Sequence, residues 1–139
     1  DIVTLTYNLK LGAKKVTTLR EISPPSVTTE QAITFGILCA QKVYAVPEWV
    51  EWATDWLSGR NRTKDAALDV ALTYPTDTSY FAIGASLAAA NATHAACTPF
   101  DASAIFTYAW NAACHAVEVA RLGNKIDLKS LAEQAVSMS

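Results

Sequence analysis

The chain predicts a mainly α fold: a bundle of about five to six helices, one long antiparallel helical hairpin within it, and a short extended segment at the N-terminus. Three observations carry that expectation. Alanine crowds the second half of the chain while glycine occurs only five times in 139 residues, and alanine loses no side-chain entropy in a helix. Helix-start signals recur along the chain, at Thr28 with Gln31, at Pro47, at Thr98-Pro99 and at Asp127. Between those signals apolar residues return every three or four positions. One helical domain, 1–139, accommodates them all.

The N-terminal stretch 1–26 stands apart. Ile2-Val3-Thr4-Leu5-Thr6-Tyr7 is β-branched and aromatic, and Val16-Thr17-Thr18-Leu19 repeats the pattern more weakly after Gly12. An extended arm and a short hairpin both fit this stretch. Ser23-Pro24-Pro25-Ser26 then breaks the chain.

Thr28 is placed to cap a first helix and Gln31 to close a capping box, with the helix continuing to about Tyr44. Ile33, Phe35, Ile37, Leu38 and Val43 leave it apolar on nearly every side, which predicts a central helix wrapped by others. Pro47 suits the first turn of a second helix, and Gly59 suits its C-terminal cap. Trp49, Trp52, Ala53, Trp56 and Leu57 share one stripe of it, expected in the core; Glu48, Glu51 and Asp55 lie on the other side. Thr63 opens a third helix over about Lys64 to Thr73, ahead of Pro75. Asp77 or Thr78 opens a fourth, to Cys97.

Thr98 as cap and Pro99 at the first position are expected to begin a fifth helix, which Gly123 ends after Leu122. So short a turn makes the fourth and fifth helices antiparallel. Ala88, Ala92 and Ala95 on one, and Ala109, Ala112, Ala113 and Ala116 on the other, would let their backbones approach closely. Asn91 and Asn111 are expected to bond between helices and hold their register. Asp127 caps a sixth helix to about Ser137, with Leu128, Leu131, Ala132, Ala135 and Val136 as its apolar face.

Composition also excludes function classes. The net charge is −2 and no dense Lys/Arg block exists, which argues against nucleic-acid binding, because that needs a basic face to displace counterions. No apolar run approaches the length of a membrane span. Three cysteines in apolar helical settings read as small buried hydrophobes of a reducing compartment, and no signal-peptide pattern is visible. A cytoplasmic location is the corresponding expectation.

His94, Cys97, Cys114 and His115 look at first like one metal site. Helical phase argues otherwise. His94 and Cys97 share a face, whereas adjacent Cys114 and His115 diverge by about 100°. A turn near Thr98 to Phe100 also sets His94 nearer the level of Phe106 than that of Cys114. A tetrahedral site needs four converging ligands, so no metal or other cofactor is expected. Cys39 has no helix start or cationic neighbour to activate it before Lys42. There is no phosphate-cradling glycine loop, no His-Glu-x-x-His pair and no Gly-x-Ser-x-Gly elbow. Glu48/Glu51 and Asp65/Asp69 read as solvated helix surface. No catalytic residue is assigned, and the chain is expected not to be an enzyme. The residues singled out for partner binding are Arg60, Asn61, Arg62 and Lys64, in an exposed basic connection between helices.

The order "ITFGILCAQKVY", "VEWATDWLSG", a polar link, "DAALDVAL" and "AWNAACHAVEVARLG" resembles the small alanine-rich helical immunity proteins of bacterial polymorphic toxin systems. The resemblance spans Ile33 to Leu122. It rests on Cys39-Ala40 within an apolar helix, on Trp56-Leu57-Ser58-Gly59 closing the next, and on the alanine-rich helices with interspersed histidine and tryptophan. It implies a protein partner, a toxin domain that the chain binds and neutralises without catalysis; it transfers no site residue. Two other readings stand beside it: a structural or self-assembling helical subunit, and a small metal-binding protein or enzyme using His94, Cys97, Cys114 and His115.

Overall fold

A computed structural model describes residues 26–71, 80–98, 101–121 and 125–138. The expectation for 1–26 therefore lies outside the described residues, apart from Ser26. Six helices form among the described residues: α1 (Thr29–Gln41), α2 (Pro47–Leu57), α3 (Lys64–Ala71), α4 (Tyr80–Cys97), α5 (Ala102–Ala120) and α6 (Leu128–Met138). The fold is a mainly α bundle.

Helix α1 begins as its sequence dictates. The Thr28 hydroxyl accepts from the Gln31 N–H at 3.1 Å, and the Gln31 side chain accepts from the Thr28 N–H at 3.0 Å. Two otherwise orphaned donors are thereby satisfied. The helix is buried from Ala32 to Ala40 except at Phe35, and it packs on α4, α5, α6 and α2. It is the central helix. Its buried Thr34 satisfies its hydroxyl internally, donating to the Glu30 carbonyl at 2.8 Å.

Gly36 sets the spacing between α1 and α5. A Cβ on Gly36 would lie 3.2 Å from the Ala109 Cα, so the two backbones touch where neither carries bulk. Small residues do the same along the α4–α5 hairpin. Ala88, Ala92 and Ala95 on α4 and Ala112, Ala113 and Ala116 on α5 have no solvent exposure. At its far end Gly84 meets Val119, whose Cγ2 would lie 2.5 Å from a Cβ there. Among the described helices the packing of α4 on α5 is the most extensive, and close-packed alanine faces give it dense dispersion contact.

Helix α2 adds the large side chains. Trp49, Trp52 and Trp56 are all buried, as their spacing anticipates. Tyr44 meets Trp49 edge-on at 5.5 Å and Trp49 lies 5.7 Å from Trp52, geometries that suit the ring quadrupole. Gly59 follows the helix at φ 77°, a left-handed conformation that disfavours any residue with a Cβ.

Three expectations need correction. The fifth helix is capped by Asp101, whose carboxylate accepts from the Ala104 N–H at 3.1 Å, and not by Thr98. Thr98 serves the preceding helix, its hydroxyl donating to the His94 carbonyl at 2.8 Å. The two helices still lie antiparallel, with His94 beside Tyr108 at one end and Gly84 beside Val119 at the other. Asn91 does not reach across the hairpin; its amide donates to Leu87 one turn back. On α6, Leu131 and Ala135 are buried, but Ala132 is exposed and Val136 is 53% exposed. That helix packs mainly on α1, and the contact takes in Leu131, Ala135 and part of Leu128 but leaves Ala132 and Val136 outside it.

Candidate functional site: an exposed aromatic face on α5

The basic connection after α2 is held by the chain's own groups. The Arg62 guanidinium lies 4.5 Å over the Trp56 ring. It also donates to the Trp56 carbonyl at 2.9 Å and to the Glu30 carboxylate at 2.6 Å. Arg62 thus ties the end of α2 to the start of α1, a cation–π contact supported by an ion pair. Arg60 pairs with Asp55 at 2.7 Å. The Asn61 side chain accepts from the Thr63 N–H and hydroxyl, and the Thr63 hydroxyl accepts from the Ala66 N–H. Lys64 is exposed at the start of α3. Three of the four residues singled out for partner binding are therefore engaged in building the loop.

His94, Cys97, Cys114 and His115 are spread over the hairpin. The exposed His94 ring lies 5.4 Å from the Tyr108 ring, which sits at the end of α5's second turn, six residues before Cys114. Cys97 is buried at the end of α4, where burial pushes its thiol pKa up and the Lys64 charge acts the other way. Cys114 is exposed, and His115 lines a groove of about 310 Å³ with Ile83, Leu87 and Val119. Among the described residues no group of three His, Cys, Asp or Glu lies together in a way that could hold a metal ion.

Cys39 sits in the core of α1 with no exposure. Burial pushes its thiol up to about 12, and the charge of Cys114 adds to the rise. A thiol in that state is a poor nucleophile at neutral pH. A shallow cleft of about 240 Å³ separates α2 from α3, with Glu48, Glu51, Asp55 and Asp69 around Trp52.

The feature that stands out on the surface is Trp110. It is 61% exposed, while Trp49 on α2 is 2% exposed. Phe106, one turn before it, is 39% exposed, and Cys114, one turn after it, is also exposed. The three sit four residues apart, so they form a stripe along one side of α5. Ser103 and Thr107 edge it with hydroxyls, Thr107 donating to the Ser103 carbonyl at 2.9 Å. A helical face led by tryptophan and phenylalanine, edged by small polar groups, has the composition of a protein contact.

Sequence reasoning passed over Trp110, although a signal exists. Ala109, Ala112, Ala113 and Ala116 turn the small side of α5 inward, and Trp110 is about 100° from Ala109 and about 160° from Ala112 in the helical wheel. The centre of that alanine face lies about 110° from Trp110, which places Trp110 beside the buried face and not within it.

Among the described residues the fold is a helical bundle with an exposed aromatic stripe along α5. No family model matches the chain, and no curated protein or solved structure matches it significantly. No described helix is long and apolar enough to cross a membrane.

Proposed function

We propose that this protein is a non-catalytic protein-binding module, an immunity protein that binds and neutralises a cognate bacterial toxin in the cytoplasm, with the Trp110 face of α5 as its contact surface. The observation that carries the reading is the exposure of Trp110 in a chain that buries its other described tryptophans. Leaving an indole in water forgoes about 1.5–3 kcal/mol or more of burial free energy. A partner that covers it recovers that free energy at a rigid, low-entropy anchor. The α5 backbone beneath it is locked by Ala109 against Gly36, so the anchor is pre-organised. The resemblance to alanine-rich immunity proteins agrees with this use of a helical scaffold.

The test is a direct binding measurement between this protein and the product of the gene next to its own. Binding that Trp110→Ala abolishes supports the reading. Absence of binding, together with a stable oligomer of the chain that Trp110→Ala dissociates, assigns the face to a second copy and overturns it.

A further inference from the structure

We draw no further inference here: the strongest candidate, the shallow acidic cleft between α2 and α3 that Glu48, Glu51, Asp55 and Asp69 rim around Trp52, is an acidic cluster with nothing pointing to a ligand, since the unpartnered Trp52 indole N–H beside it is closed off from solvent.

Discussion

Gly36 on α1 and Ala109 on α5 meet backbone to backbone: a Cβ on Gly36 would stand 3.2 Å from the Ala109 Cα. This contact lets the central helix approach the hairpin and holds α5 with its alanine side inward. Gly36→Val is expected to lower stability by about 1–3 kcal/mol, the usual range for overpacking a tight site. Its β-branched side chain would push against the Ala109 backbone and Cβ, neither of which can swing aside. Chemical denaturation of the variant checks this; unchanged stability would mean that the helices are not in close contact at this level.

Arg62 is expected to matter for stability far more than Arg60. Arg62→Ala removes a cation–π contact, an ion pair and a bond to the Trp56 carbonyl, and should cost about 1–2 kcal/mol. Arg60→Ala removes an exposed ion pair with Asp55 and an exposed bond to the Ser58 hydroxyl, and should stay within about 0.5 kcal/mol of the parent. Thermal unfolding of both variants, measured side by side, checks the ranking.

Gly59 gives a local test of backbone strain. At φ 77°, with nothing within 4 Å of a Cβ, Gly59→Ala meets conformational cost without steric clash. The expected loss is about 1–2 kcal/mol, and Gly59→Asn should lose less, because asparagine tolerates the left-handed region better. Equal stability of glycine and alanine at this position would contradict the left-handed turn.

The three cysteines should separate by reactivity and by pH. Under native conditions a thiol reagent should modify exposed Cys114 quickly and Cys39 only after unfolding. Cys39 has an ordinary pKa of 9.0 that burial raises to about 12 in the folded chain. The folded chain holds that proton longer, so the contribution is fully present below about 9 and is lost as pH rises from there toward about 12. Cys39→Ala should flatten the alkaline fall in stability. An alkaline profile identical to the parent's would show that the thiol is not buried as described.

Most of the element-level expectations that held were local ones. The Thr28–Gln31 box, Pro47 at the start of α2 and the Asp127 cap of α6 each depend on residues within one turn of one another. Periodicity likewise placed Trp49, Trp52 and Trp56 inside. Competing local signals hid the cap of α5: Thr98-Pro99 and Asp101 both suit a helix start, and the Thr98 hydroxyl is committed to α4. The structural role of the loop residue Arg62 was hidden for a different reason. Its carboxylate partner Glu30 lies 32 positions earlier, and no local pattern reports that pairing. Val136 continues the apolar period of α6, but period alone does not say how wide a stripe the neighbouring helix covers.

Trp110 carries the central claim, and a comparison of two tryptophans isolates it. Trp49→Ala opens a core cavity and should cost about 3–5 kcal/mol. Trp110→Ala leaves the core intact and should stay within about 0.5 kcal/mol of the parent.

The most direct measurement is titration calorimetry of the parent protein and of Trp110→Ala against the purified product of the neighbouring gene, with the unfolding temperature of each recorded alongside. The expected result is saturable binding by the parent and at least about a thirtyfold loss in Trp110→Ala, the scale of a hot-spot residue worth about 2 kcal/mol, at unchanged unfolding temperature. Equal affinity of the two proteins, or no binding by either, would contradict the account.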